Sequence, residues 1–200
     1  MWLKTIIGGF MTIKGTETEK NLLKSFAGES QATSRYKMFA KQAKKEGYEQ
    51  ISAIFTETAE NEVEHGKRFF RFLEEGGVEI TVTYPTNQVG TTQENLKNAA
   101  NGENEEWTEL YPHFAEVAEK EGFSEIALAY RNISRVEKEH EARYLKLMVN
   151  LEDNSVFKKK TVVRWKCRNC GYVHEGEEAL EVCPACLHPR SYFELKERNY

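Results

Sequence analysis

Cysteine is absent from the first 166 residues of this 200-residue chain, and its four copies all fall between positions 167 and 186. A disulfide framework spread over a secreted fold is therefore excluded, and paired Cys-x-x-Cys units point instead to thiolates that hold a metal in a reducing compartment. Long apolar runs are missing too. No stretch of about 18 apolar residues occurs, which excludes a membrane-spanning helix on length. The opening Met1-Trp2-Leu3-Lys4-Thr5-Ile6-Ile7-Gly8-Gly9-Phe10 is apolar, but it lacks a full h-region and a small-residue cleavage site. Residues 1–15 are read as an N-terminal extension with Met11 as an alternative initiator. A short organelle-targeting segment is the other reading, and the cytoplasm is the expected location. Basic clusters are scarce as well: residues 1–157 carry 19 Lys+Arg against 26 Asp+Glu, and residues 158–200 carry 9 against 6. An acidic body excludes nucleic acid as its partner, because phosphate contacts need clustered Lys and Arg. The one basic block, Lys158-Lys159-Lys160, is expected to be a solvated linker.

What the chain does contain is an internal repeat. Ala40 to His65 aligns without a gap to Ala115 to His140, at an offset of 75 residues. Tyr36 falls on Tyr111, Phe39 on Phe114, Glu46-Gly47 on Glu121-Gly122, Ile51 on Ile126, Glu62 on Glu137 and His65 on His140. Each copy reads as a helix, a short glycine turn and a second helix. Apolar residues recur in steps of three and four, as in Ile51, Ile54, Phe55, Thr58, Glu62, His65 and Phe69, and again in Ile126, Ala129, Tyr130, Ile133, Glu137, His140 and Tyr144. Such stripes predict buried helical faces, and the glutamates and histidines lie inside them. The first helices place Glu29 and Glu103 in their buried lines in the same way. Between the repeats, Gly76 to Glu94 has little helical character. Two helical hairpins joined by one long connection make a ferritin-like four-helix bundle, here spanning residues 16–157. A small β-rich unit is expected over residues 158–200, beginning near Val162.

The symmetry breaks at one place. Glu29 to Tyr36 spans seven residues and Glu103 to Tyr111 spans eight, with the extra residue just before Pro112. Proline disrupts a helix interior, so a π-bulge or kink is predicted there, a defect frequent at functional sites. The altered register turns Glu106 inward and gives the second half one more carboxylate than the first.

Each E-x-x-H pair, Glu62 with His65 and Glu137 with His140, projects a carboxylate and an imidazole from one helix face. Two such pairs with a glutamate from each of two further helices form the ligand set of di-iron carboxylate bundles. A coincidental polar core is the alternative, and electrostatics argues against it. Two carboxylates about 4 Å apart repel by about 4 kcal/mol at an effective dielectric near 20. Five of them in one core need cations, and mixed carboxylate and imidazole donors suit iron or manganese. Glu62 and Glu137 are placed to bridge two ions, Glu29 and Glu103 to cap one each, and His65, His140 and Glu106 to fill the rest. Tyr36 and Tyr111 lie on the same faces and are candidates to hydrogen-bond the ligating carboxylates. In the tail, Cys167, Cys170, Cys183 and Cys186 form two chelating turns suited to a tetrahedral four-sulfur site, for zinc or for iron by spacing alone.

The combination resembles the rubrerythrin family over residues 16–200. The resemblance rests on Phe26-Ala27-Gly28-Glu29-Ser30-Gln31, both E-x-x-H pairs, Glu103, Glu106, and the Cys-x-x-Cys-Gly-Tyr-Val-His and Cys-Pro-x-Cys turns. It implies a non-haem di-iron site on Glu29, Glu62, His65, Glu103, Glu106, Glu137 and His140, and a rubredoxin-like domain with one iron on the four cysteines. It further implies a peroxidase reducing hydrogen peroxide to water, with NAD(P)H electrons arriving through a separate reductase or rubredoxin and the rubredoxin-like iron. An exchange of His65 for Glu106 on one iron, and a homodimer or larger head-to-tail assembly, also belong to what the resemblance implies. Ferroxidase or iron-storage action, as in ferritin-like proteins, is the alternative reading, and the four cysteines weigh against it.

Overall fold

The computed structural model describes residues 12–197 together with the backbone of two short strands, β1 (Ile6–Ile7) and β2 (Phe10–Met11), which pair antiparallel. The reading of the first eleven residues as an extension or targeting segment thus lies largely outside the described residues. Residues 12–15 belong to the body: Ile13 is buried in the core, and Glu74 accepts from the Ile13 amide and the Thr12 hydroxyl.

Four long helical rods follow: α1 (Glu17–Lys45), α2 (Glu49–Phe70), a composite rod of α3 (Thr92–Glu105) and α4 (Tyr111–Glu121) joined by a π turn (Glu106–Leu110), and α5 (Ser124–Glu152). The starts of α1 and α3 are written in sequence. Thr16 accepts from the Glu19 amide, and Thr91 with Glu94 closes a capping box, which satisfies amides that the first turn leaves free. The two hairpin turns are copies of each other. Gly47 and Gly122 both take φ near +85 to +89°, a left-handed conformation that glycine adopts without a Cβ clash. The next amides, of Tyr48 and Phe123, reach back to the carbonyls of Ala43 and Ala118 at 2.9 and 2.8 Å. The offset of 75 therefore holds down to individual hydrogen bonds.

Residues 77–90 cross between the hairpins without regular structure. Tyr84 ties this connection down by donating to the Lys24 carbonyl at 2.8 Å, with its ring lying over Gly28. The architecture is the four-helix bundle with one long crossover that the repeat predicts.

Burial splits the bundle core in two. One apolar cluster holds Tyr36, Phe39, Ile51, Phe55, Leu96 and Tyr144, and the other holds Leu22, Phe69, Tyr111, Phe114, Ile126 and Tyr130. Each buried large side chain stabilises the fold by about 1.5–3 kcal/mol. That gain carries the polar layer that lies between the two clusters.

The C-terminal unit is a three-stranded antiparallel sheet in the order β4–β3–β5, formed by β3 (Lys158–Cys167), β4 (Val173–Glu178) and β5 (Phe193–Leu195). Here the sequence expectation needs a correction. Lys158-Lys159-Lys160 is the first part of β3, not a linker, with Lys158 paired to Glu178 both in register and as an ion pair. Long charged side chains are compatible with a strand whose end stays solvated, and Trp165 and Cys167 at the other end enter the small core with Cys183 and Phe193. Tyr48 stacks on Phe157 with ring centroids 6.1 Å apart, seating this unit at the α1–α2 turn.

Candidate functional site

The polar layer between the apolar clusters consists of two overlapping quartets. Glu29 from α1, Glu62 and His65 from α2, and Glu137 from α5 have ligand atoms within 4.8 Å of one another; so do Glu62, Glu103 from α3, Glu137 and His140. Glu62 and Glu137 belong to both. Each histidine faces the glutamate of its own repeat and that of the other: His65 Nδ1 lies 2.8 Å from Glu62 and 2.9 Å from Glu137, and His140 Nδ1 lies 2.9 Å from Glu137 and 3.2 Å from Glu62. A pseudo-two-fold axis therefore runs between the imidazoles, whose centroids are 6.0 Å apart.

The directions of these groups matter as much as their distances. Both oxygens of Glu137, one each of Glu29, Glu62 and Glu103, and Nδ1 of His140 are buried without a hydrogen-bond partner. His140 Nδ1 is close enough to two carboxylates to bond them, yet it is aimed at neither. Unpaired buried acceptors cost several kcal/mol each, and a set of them within 4.8 Å of one another could hold metal ions that offset that cost. Two hard or borderline cations fit this donor set.

The charges say the same. Burial raises the Glu29 carboxyl well above its ordinary range, and Glu106, Glu62 and Glu137 add to the effect. Glu103 is pushed up to about 8, first by burial and then by Glu62. Burial would lower both imidazoles, but the carboxylates around them prevail and hold His65 at about 11 and His140 at about 12. Burial would likewise raise Glu62, and the two imidazoles overcome it and hold it below its usual range. Positive charge at this layer is what the carboxylates demand.

Glu106 stands apart. It is the first residue of the π turn, half-buried and in neither quartet. Its carboxyl is raised by burial and by the charges of Glu103, Glu137 and Glu62, and it is the largest charged influence on Glu29.

Tyr36 and Tyr111 do reach carboxylates, in a crossed pattern that helix spacing does not reveal. Tyr36 donates to Glu103 at 2.6 Å, and Tyr111 donates to Glu29 at 2.5 Å. Each repeat's tyrosine thus holds the other repeat's glutamate. Tyr144 and Tyr130, on the buried stripes but given no role by spacing, pack against these two rings at 5.7 Å each. Gly66 was missed as well: a Cβ there would lie 3.3 Å from Glu29 Cβ, so its lack of a side chain lets α2 approach α1 beside a quartet member.

In the C-terminal unit, the sulfurs of Cys167, Cys170, Cys183 and Cys186 lie within 4.8 Å of one another, with Cys167–Cys186 at 3.7 Å and Cys170–Cys183 at 3.6 Å. A disulfide needs about 2.05 Å, whereas a tetrahedral ion bonded at about 2.3 Å spaces its sulfurs about 3.8 Å apart. The two turns are copies of each other. Gly171 donates to the Cys167 carbonyl and Leu187 to the Cys183 carbonyl, both from left-handed backbone. The His188 amide draws the Cys186 thiol down to about 6. The Tyr172 amide favours the Cys170 thiolate, yet the crowded neighbouring sulfurs, Cys186 foremost, push it up to about 12. Four thiolates at this spacing require a cation among them.

A ferritin-like bundle with a two-ion carboxylate layer, continued by a four-thiolate rubredoxin-like unit, defines the class of two-centre iron proteins. The family model described as Rubrerythrin matches residues 20–148, and the one described as Rubrerythrin, rubredoxin-like domain matches residues 165–194. The rubrerythrin of Porphyromonas gingivalis is 60% identical over 189 residues, 94% of each chain. That of Nitratidesulfovibrio vulgaris is 50% identical, covering 94% of this chain and 99% of its own. Nigerythrin solved in a mixed-valence state superposes with a TM-score of 0.62 at 31% identity, covering 96% of this chain and 92% of that one. The chain belongs to the rubrerythrin family. Its cofactors are a di-iron carboxylate centre and a single iron in the four-cysteine unit, and it is an oxidoreductase of that family.

Proposed function

We propose that this protein is a peroxidase that reduces hydrogen peroxide to two waters, consuming two electrons and two protons. The reading is carried by one observation: two quartets that share Glu62 and Glu137 lie in the same chain as a four-thiol cluster. Two ferrous ions would supply the two electrons and the Lewis acidity that splitting one O–O bond requires. In the ligand assignment we propose, Glu62 and Glu137 would be shared by both ions, Glu29 and His65 would hold one of them, and Glu103 and His140 would hold the other. By resemblance to the family, Glu106 would exchange with His65 on one ion.

The remaining residues bind, orient and admit. The Tyr36 and Tyr111 hydroxyls fix one oxygen each of Glu103 and Glu29, leaving the other oxygen free to ligate. A cleft of about 250 Å³ between α1 and α2, lined by Phe26, Ser30, Thr33, Glu62, Val63, Gly66 and Lys67, leads to the shared glutamate. Its size suits a small solute. Apolar clusters on both sides of the layer keep bulk water from the rest of the site.

Electrons are expected to enter at the four-cysteine unit from a reductase or a rubredoxin, with NAD(P)H as their source. That unit packs at the start of α2, and Glu62 lies 13 residues further along, about 20 Å at 1.5 Å per residue. Delivery from a second copy arranged head to tail, in a homodimer or larger assembly, would shorten the path. Four cysteines gathered for a metal and not paired as disulfides fit a cytoplasmic location.

Metal analysis and stopped-flow spectroscopy test the reading together. Protein isolated without oxygen should hold about three irons per chain, two for the bundle and one for the thiolates. After reduction, peroxide should reoxidise it much faster than dioxygen does. Faster reaction with dioxygen would favour ferroxidase action instead, and zinc in the four-cysteine unit, without charge-transfer absorption, would remove the electron-transfer half.

A further inference from the structure

The π turn that carries Glu106 is an expensive piece of backbone, and its own chain does not satisfy it. Within the turn the Tyr111 amide donates to the Glu106 carbonyl, five residues back, which removes the donor that Trp107 would have in an α-helix. Five residues on from Trp107 is Pro112, which has no N–H to offer. The Trp107 carbonyl is therefore orphaned by its own helix, and α5 supplies the partner: Ser134 Oγ donates to it at 3.2 Å.

Two turns further along α5, Glu141 grips the same segment at two points. One oxygen accepts from Asn104 Nδ2 at 3.0 Å and the other from Trp107 Nε1 at 2.6 Å. Lys138 sits 5.2 Å from the centroid of the Trp107 ring. Between Ser134 and Glu141 on the helix comes Glu137, whose carboxylate belongs to both quartets. One helix thus presents a shared glutamate and clamps the segment bearing Glu103 and Glu106.

The clamp has a geometric consequence. Asn104 precedes the π turn and Trp107 lies inside it, so a carboxylate that binds both fixes the register across the two residues between them, Glu105 and Glu106. A one-residue change of register turns a side chain by about 100° around the helix axis. Relaxation of this turn would rotate Glu106, its first residue, around the helix axis by that amount. A carboxylate is the group the position requires, since two donors need two acceptors and charge strengthens both bonds. An amide would meet one of the donors with its own NH2.

We propose that Glu141 is a positioning residue that sets the π-turn register and so aims Glu106 at the di-iron layer. This rests on the reading of Glu106 as an iron ligand. Hydrogen exchange of the full iron-loaded chain, read by mass spectrometry on the peptide spanning residues 103–112, tests the clamp without reference to activity. Glu141→Ala should speed exchange there by about tenfold or more while α1 and α2 are unchanged, with Glu141→Gln and Trp107→Phe giving smaller effects of the same kind. Peroxide turnover is then measured for Glu141→Ala, Glu106→Ala and the double variant. The expected result is that Glu141→Ala slows turnover in the parent and costs nothing further once Glu106 is gone. Unchanged exchange in all three clamp variants would overturn the proposal, and so would losses that multiply in the double variant. If Glu106→Ala alone left turnover intact, the ligand reading would fail while the exchange data still decided whether Glu141 holds the turn.

Discussion

The hydroxyl of Tyr111 lies 2.5 Å from Glu29 Oε1, although the two residues belong to different repeats and are 82 positions apart. Its counterpart, Tyr36 with Glu103, makes the reciprocal bond. Each hairpin is thereby oriented by the other at the level of a single buried carboxylate. Neither hairpin alone contains a complete quartet.

Replacing either tyrosine by phenylalanine keeps the ring and removes the donor. A buried carboxylate oxygen left without its partner costs about 1–3 kcal/mol, so Tyr36→Phe and Tyr111→Phe should each lower unfolding free energy by that amount. Because the bonds are equivalent under the pseudo-two-fold axis, the two losses should be similar. Denaturant titration of the iron-loaded protein measures them. No loss in either variant would mean that the ligated carboxylates need no help from the phenols.

Glu106→Ala removes a carboxylate that is half-buried and outside both quartets. The fold should survive, since no hydrogen bond of the bundle depends on that side chain among the described residues. Iron should still load at two positions, and peroxide turnover should fall by about tenfold or more, the scale on which lost ligand support acts. Steady-state turnover at matched iron content is the measurement. Unchanged turnover would leave the exchange of His65 for Glu106 without support.

Much of this was legible in the chain because helical hairpins are local. The offset of 75 with E-x-x-H at both ends fixes which faces are buried and that they must meet, and Pro112 with the added residue before it marks the π turn. Other features depend on partners far along the sequence and leave no spacing to read. The crossed tyrosine bonds are of this kind. So is Glu141, which follows His140 and looks like one more glutamate on a solvated face until Trp107 and Asn104 are brought against it. Lys158 to Lys160 misled for a different reason: charge patterning reports solvation, and a strand with one solvated end is as wet as a linker. Leu187 occupies the left-handed position that Gly171 takes in the matching turn, so glycine punctuation marks only one of the two.

Cys183 is fully buried at the centre of the small core. Serine is a poor ligand for a soft site, and a unit this small draws much of its folding energy from the metal. Cys183→Ser should therefore lose one iron per chain together with the visible charge-transfer absorption, while the helical circular dichroism of the bundle persists. Metal analysis with thermal melting followed at both wavelengths checks this. Simultaneous loss of all iron would show that the bundle needs the C-terminal unit to hold its own ions.

Gly66 puts two effects in opposition. Alanine is the better helix former by about 1 kcal/mol, which favours Gly66→Ala inside α2, one turn before its C-terminal end. Its Cβ, however, would stand 3.3 Å from Glu29 Cβ and 3.6 Å from Phe26 Cδ2, closer than packed carbons at their optimal separation of about 3.5–4.0 Å in the first case. The neighbour that must give is a residue of the first quartet. Stability should then change by less than about 1 kcal/mol as the two effects offset, while iron binding at the Glu29 position weakens by about tenfold as that carboxylate shifts. Iron titration of the metal-depleted protein, set beside its denaturation midpoint, separates the two quantities. A more stable variant with unaltered iron affinity would mean that α1 has room to move and that Gly66 plays no part in placing Glu29.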